Sequence, residues 1–267
     1  RKKISAKPKL MAIGMYRIHY SLPKKNPTVN LIIPTKNGFN LLKRCIESIF
    51  RKTRYNEYTI TIVDNGSDEQ RTLDYLAFLK KHEKAKVIRD ARPFNFSALC
   101  NMAVAQSQCE FVALVNNDIE VISSDWLTEM VSLALQPKVG VVGAKLWYPD
   151  ETLQHGGCIL GIGGVAGHAH RFLKKGKIGY MGRAAVTQSL TAVTGACLLV
   201  RRDIYFEVGG MDEEHLKVAF NDIDFCLKVN ASGYRNIWTP FAELYHHESA
   251  TRGFDITPEK KNRLRKE

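Results

Sequence analysis

No apolar run in this 267-residue chain approaches the ~20 residues a membrane-crossing helix needs. Arg1-Lys2-Lys3 is followed by no apolar signal-peptide core. The expectation is a cytoplasmic protein, or a soluble module cut from something longer. Cysteine is sparse, and Cys45, Cys100, Cys109, Cys158, Cys197 and Cys226 never form a CxxC pair. Several lie in apolar runs, so they read as reduced core thiols and not as a disulfide frame or metal cluster. There is no GxxxxGK[ST] loop, so phosphates are not held in the P-loop manner. Zinc-finger spacing, an aromatic RNP motif and a basic region with heptads are all missing, which argues against a nucleic-acid partner.

Acidic residues are short too. Lys and Arg number 39 against 27 Asp and Glu, a net charge of +12, and no acid occurs between Glu151 and Asp203. That gap holds Arg171, Lys174, Lys175, Lys177, Arg183, Arg201 and Arg202. Such an excess suits an anionic partner, whether a nucleotide, a nucleic acid or a membrane surface with acidic lipids, although a solvated basic face would look the same. The remaining composition, 45% hydrophobic and 25% charged, is that of an ordinary globular protein. The length fits one large α/β domain or two small ones.

Residues 1–28 are basic, Pro-punctuated and without a clear period, and read as a strap or linker. Val29 to Ile33 reads as a buried strand stopped by Pro34-Thr35, and Leu41, Leu42, Cys45, Ile46, Ile49 and Phe50 as a helix. Tyr58 to Val63 is a β-branched strand ending in Asp64-Asn65-Gly66-Ser67. Leu73, Leu76, Ala77 and Leu79 predict a second helix and Lys86 to Arg89 a third strand. Ser97 is expected to cap a third helix, running through Gln106. Glu110 to Val115 is an apolar strand that gives way to Asn116-Asn117-Asp118. A helix over 125–135 and strands at 139–143 and 194–200 follow, then a helix around Asp222. This alternation predicts a mostly parallel central sheet with flanking helices.

Ligands of such sheets bind at the carboxyl ends of the strands. Asp64 and Asp118 both fall there, on one edge, where one acid can meet a base or ribose hydroxyl and the other a ribose or metal. With no P-loop, a divalent cation on carboxylate oxygens is the natural holder of phosphates. Asp222 and Asp224 are two apart on a helix and point to different faces. Asp222 has Phe225, Cys226 and Val229 as helix neighbours, which turns it inward; Asp224 has Lys228 at i+4 and reads as a salt-bridged acid. Glycine and histidine crowd the segment from Gln154 to His170. Its Gly161, Gly163 and Ala166 match a GxGxxA pattern, but no helix follows and no acid lies ~20 residues on. A mobile lid over a ligand is the preferred reading, with histidine metal ligation as the rival.

Taken in order, these motifs resemble glycosyltransferase family 2 with its GT-A nucleotide-sugar fold. The run is Ile32-Ile33-Pro34-Thr35, Val63 to Ser67, Pro93 to Ser97, Asn116-Asn117-Asp118, Gln154 to Gly157, Thr194-Gly195-Ala196, Asn221 to Asp224 and Tyr245 to Ser249. It covers about residues 29–253 and looks most like bacterial transferases of O-antigen, capsule and other surface polysaccharides, rhamnosyltransferases among them. The resemblance implies a nucleotide-binding half (29–120), an acceptor and catalytic half (121–253) and a charged tail (254–267). Carried over residue by residue, Pro34, Thr35, Asp64, Asn95, Asn117 and Asp118 bind the donor. Asp118 and His246 hold a Mg²⁺ or Mn²⁺ ion, with His247 as the fallback, and Asp222 is the catalytic base. His155, Gly195, Arg171, Arg183 and Arg252 fall in the acceptor or diphosphate region. Two positions depart from the pattern. Asn116 replaces the first acid of the DxD motif, leaving fewer anionic metal ligands, and Asn221 replaces the acid usual before the base. The QxxRW motif of processive synthases is absent.

The expected reaction is an inverting transfer from a UDP- or dTDP-sugar, with dTDP-rhamnose a candidate, to a saccharide acceptor. That acceptor can be carried on a lipid diphosphate, which the basic stretch would suit, with the chain at the inner face of the cytoplasmic membrane. Peripheral membrane contact and further domains of a longer chain are consistent with this; a nucleic-acid partner is not expected. A sugar nucleotidyltransferase and a non-catalytic nucleotide-sugar-binding module are the alternatives.

Overall fold

The computed structural model describes residues 5–11 and 14–247. The chain opens with β1 (Ala6–Leu10) and β2 (Tyr16–Tyr20), an antiparallel hairpin where the sequence suggested a period-free strap. All of β1 is exposed, so neither of its faces needs the apolar alternation that would reveal a strand. Arg17 ties the hairpin to the body, pairing with Glu129 at 2.7 Å and lying 4.1 Å over the Phe241 ring.

Next come β3 (Val29–Thr35), α1 (Phe39–Lys52), β4 (Tyr58–Asp64), α2 (Gln70–Leu79), β5 (Ala85–Arg89), α3 (Phe96–Ala105) and β6 (Phe111–Val115). The four strands lie side by side, all parallel, in the order β6-β3-β4-β5. Every residue of β3 is buried, because a parallel strand covered on both faces must be apolar throughout. Pro34 does not end β3: pairing with β6 stops at Ile32, so the missing N–H falls where the ladder has already finished. The α3 cap is Asn95, whose side-chain oxygen accepts from Ala98 N at 3.0 Å. Ser97, expected in that role, sits inside the helix and donates to the Leu216 carbonyl at 2.5 Å.

The second half contains β7 (Ile119–Val121), α4 (Trp126–Ala134), β8 (Val139–Trp147), β9 (Leu153–His155), β10 (Cys158–Leu160), β11 (Ala166–His168), β12 (Gln188–Leu190), β13 (Cys197–Arg201), α5 (Arg202–Glu207), α6 (Asn221–Ala231) and β14 (Arg235–His246). The large sheet runs β12-β14-β8-β13-β6-β3-β4-β5, mostly parallel, with β13 antiparallel to both neighbours. Several elements differ from expectation. β8 continues to Trp147, beyond Gly143, while β13 begins at Cys197 and not at Thr194. β14 was not foreseen, since Pro240 interrupts its pattern and its register with β8 shifts between Trp238 and Glu243. The segment read as a lid forms the short β10–β11 hairpin.

Alternate residues of the strands feed two cores. Leu31, Ile33, Ile60 and Ala113 pack with α1, α2 and α4, whereas Ile32, Val63, Leu114 and Leu198 pack with α3, α5 and α6. Fully burying one such side chain is worth about 1.5–3 kcal/mol, so the sheet edge above these cores is firmly supported. Five of the six cysteines are buried and all are free, as core thiols should be. No helix among the described residues is long and apolar enough to cross a membrane.

Candidate functional site

A continuous chain of bonds crosses the carboxyl edge of the sheet. Asp64 Oδ2 accepts from Arg89 at 2.7 Å and its Oδ1 from Ser67 N at 2.9 Å. Asn65 N donates to the Thr35 carbonyl at 2.8 Å, and Thr35 Oγ1 accepts from Asn117 Nδ2 at 2.9 Å. One residue earlier, Asn116 N donates to the Ala196 carbonyl at 2.9 Å, which joins β6 to the turn before β13. Gly195 N, in that turn, donates to Asp222 Oδ2 at 2.8 Å. Asp64, Thr35 and Pro34, Asn117 and Gly195 thus follow one another along one edge, with Asp222 bonded to it from α6. Parallel strands end in register, so residues far apart in sequence meet there.

Asp118 lies just past β6 and is 6% exposed. Its Oδ1 stands 3.1 Å from His246 Nε2, yet the two are not aligned as a hydrogen bond, and Oδ1 has no hydrogen-bond partner. On its other side, His246 Nδ1 is 2.7 Å from Gln154 Oε1, while Asn116 Nδ2 is 3.3 Å from Nε2. An amide oxygen accepts, so the proton sits on Nδ1 and the Nε2 lone pair faces the carboxylate. Two lone-pair donors facing each other, with one buried oxygen unsatisfied, are what a small divalent cation would relieve. Carboxylate plus imidazole is also a donor set that Mn²⁺ accepts. The residues present fit such an ion.

Asp222 occupies the first turn of α6, half-buried, where its Oδ1 also accepts from Ile223 N at 2.9 Å. Gly195 lets it approach: a Cβ there would stand 3.3 Å from Asp222 Cβ. Asp224 instead pairs with Lys228 at 3.0 Å, as its spacing implied.

Other expected residues are placed differently. Asn95 caps α3 and donates to the Glu213 carbonyl at 2.8 Å, lining a cavity of about 230 Å³ with Arg92, Phe94 and Lys217. Arg171 donates to Tyr148 Oη at 2.5 Å, and Arg183 donates to Gln188 at 2.8 Å, so both brace their own loops. His155 is not a lid histidine. It is 0% exposed and lies behind the edge, its Nε2 accepting from Thr194 N at 3.3 Å. Burial keeps its imidazole well below the ordinary range and hence neutral. Arg252 lies outside the described residues.

Sequence reasoning missed Gln154 and Asn116 as partners of His246, and the trio beside them. His247 Nε2 reaches Glu120 at 3.2 Å and lies 3.4 Å from Arg44.

An open α/β sheet with its acids gathered on one edge defines a GT-A type nucleotide-sugar transferase fold. The model of Glycosyl transferase family 2 matches residues 30–209, and the chain belongs to that family. The Sinorhizobium fredii protein y4gI is 54% identical over 242 residues, covering 90% of this chain and 27% of that protein. The O-antigen biosynthesis protein RfbC of Myxococcus xanthus is 37% identical over 245 residues, covering 91% of this chain and 19% of its own length. The chain therefore spans 27% or less of these two relatives. Among solved structures, GalNAc-T7 with UDP, GalNAc and Mn²⁺ superposes with a TM-score of 0.74 at 16% identity, over 93% of this chain and 48% of that one.

Proposed function

We propose that the chain is the catalytic module of an inverting glycosyltransferase that builds bacterial surface polysaccharide. The observation that carries this is the bonded edge from Asp64 through Thr35 and Asn117 to Gly195 and Asp222, with Asp118 and His246 beside it. The nucleoside lies along Pro34, Thr35 and Asp64, and the diphosphate beside Asn117 and Asp118. Asp118 and His246 would hold a Mg²⁺ or Mn²⁺ ion, which when bound neutralises the charge that develops on the departing diphosphate. Asn116, in place of an acid, leaves that site less anionic.

Asp222 takes the proton from an acceptor hydroxyl as its oxygen attacks the anomeric carbon from the face opposite the leaving group. Gly195 N–H and Ile223 N–H fix the carboxylate, each using one lone pair and leaving others for the hydroxyl. Asn221, 4% exposed, places no second negative charge beside it. The basic loops around Arg171 and Arg183 face an anionic acceptor such as a lipid-diphosphate saccharide, the donor being a UDP- or dTDP-sugar, dTDP-rhamnose included. RfbC, by its name, belongs to O-antigen synthesis, which is the setting proposed here.

A donor assay without acceptor tests the reading. Slow release of nucleoside diphosphate from one nucleotide sugar, abolished in Asp222→Asn, is the expected result. Pyrophosphate release from a nucleoside triphosphate would make the chain a nucleotidyltransferase, and binding without release would make it a non-catalytic module.

A further inference from the structure

Strand β9 holds one residue more than its partner. Leu146 pairs with His155 and Trp147 with Leu153, so Gln154 is the extra residue in the β8–β9 ladder. A bulge of this kind bends the strand and re-aims a side chain, and is common beside active sites. Here it serves two consecutive buried polar residues, Gln154 at 3% and His155 at 0% exposure. Gln154 Oε1 meets His246 Nδ1 at 2.7 Å, on the Asp118 side of the site. His155 Nε2 receives Thr194 N–H at 3.3 Å, and the next amide, Gly195 N–H, holds Asp222 at 2.8 Å.

We propose that Gln154 and His155 are a bulge-placed pair of positioning residues. Gln154 locks His246 with its proton on Nδ1, so that Nε2 presents a lone pair beside Asp118, and His155 seats the turn whose Gly195 N–H holds Asp222. One strand thereby registers the diphosphate side of the site against the base. The inference rests on the reading of Asp118 and His246 as the metal side.

A competing use of His155 is a zinc site with Cys158 and His168, whose donor atoms lie within 4.8 Å of one another. The geometry speaks against it. His155 and His168 have their Nδ1 atoms 2.7 Å apart, a hydrogen-bond separation. Two imidazole nitrogens on a tetrahedral ion, each at ~2.0–2.1 Å from it, stand roughly 3.3 Å apart. Since His155 Nε2 already accepts a hydrogen bond, its proton is on Nδ1, donated to His168.

The test compares Gln154→Leu, Gln154→Glu, His155→Leu and His155→Gln in the intact chain. Imidazole nitrogen NMR of the metal-free wild type should show His246 protonated on Nδ1. Gln154→Leu should lose that preference and Gln154→Glu, which keeps the acceptor, should retain it. Mn²⁺ affinity, titrated in the presence of UDP or dTDP, should fall about 10–100-fold in Gln154→Leu. His155→Leu should leave that affinity unchanged while raising amide exchange at Thr194 and Gly195 and slowing donor hydrolysis, with His155→Gln restoring both. An Nε2-protonated His246 in the wild type, or a Gln154→Leu variant with unchanged tautomer and Mn²⁺ affinity, would overturn the inference. So would equal losses of Mn²⁺ affinity in both leucine variants, which would mark general damage. If wild-type binding of Mn²⁺ is present and sensitive to Asp118→Ala, such a failure touches the inference alone. If the wild type binds no Mn²⁺, the metal reading itself fails and takes the inference with it.

Discussion

The block β6-β3-β4-β5 and the segment from β9 to β12 flank the same sheet edge and are built in opposite ways. In the block, β3, β4 and β6 are five to seven residues long and buried almost throughout, and its edge acid Asp64 has both oxygens engaged by its own chain, through Ser67 and Arg89. In the segment, strands are three residues long and apolar side chains stand in solvent, Tyr180 at 74% and Met181 at 83% exposure. His170, Phe172 and Met181 there adopt left-handed backbone conformations, with φ of 57°, 66° and 50°. Non-glycine residues pay for that geometry, and it persists where the surroundings hold it. The contrast sets a floor of parallel strands, which we propose for the donor, against a wall of loops, which we propose for the acceptor, loops being the part of a fold that varies with substrate. Between them stand the acids with lone pairs still to offer, Asp118 and Asp222.

The strongest way to break this comparison is to disarm the acids between floor and wall. Asp222→Asn keeps an oxygen for Gly195 N–H but cannot take a proton, so turnover should fall about 10²- to 10⁴-fold with donor binding intact. Unchanged turnover would return Asp222 to the rank of a helix-terminal acid. Asp118→Ala should abolish the Mn²⁺-dependent part of nucleoside diphosphate binding in calorimetry, while metal-free binding on the floor persists. Gly195→Ala sharpens the contrast, because its Cβ would stand 3.3 Å from Asp222 Cβ and push the base by tenths of an ångström. Since a 1 Å misplacement can cost about 10²-fold, a loss of roughly tenfold in kcat with unchanged KM for donor is expected.

The smallest effect concerns stability alone. Burial lowers His155 well below its ordinary value of 6.5, so the unfolded chain takes up this proton first as pH falls. Its contribution is complete above pH 6.5 and declines below it by about 1.4 kcal/mol per pH unit until the folded value is reached. Denaturant unfolding of His155→Gln should lack this component between pH 6.5 and 5.5. An identical pH dependence in both proteins would mean that His155 is not held neutral.

How much of this was legible in the sequence follows the same division. The floor was, because a strand covered on both faces must be apolar throughout, and Val29 to Ile33 and Phe111 to Val115 are. Asp64 and Asp118 could be set on one edge from strand order alone. The Asp222 face of α6 followed from helical spacing, as did the Asp224–Lys228 pair. β14 was hidden by Pro240, and with it the strand that brings His246 to Asp118. The hairpin of β1 and β2 left no trace because it buries no face of β1. Gln154 escaped because a bulge breaks the period of two on which strand reading depends. His155 reads as part of a loop because Gly156 and Gly157 follow it directly and the strand it closes is only three residues long.

We propose that Asp64, Asp118 and Asp222 serve one ligand across one edge. The most direct measurement is a structure of the chain with Mn²⁺ and a nucleoside diphosphate. The ion is expected on Asp118 and His246, the nucleoside over Pro34, Thr35 and Asp64, and the open face of the diphosphate turned to Asp222. An ion held instead by His155, Cys158 and His168, or a nucleotide bound away from Asp118, would contradict it.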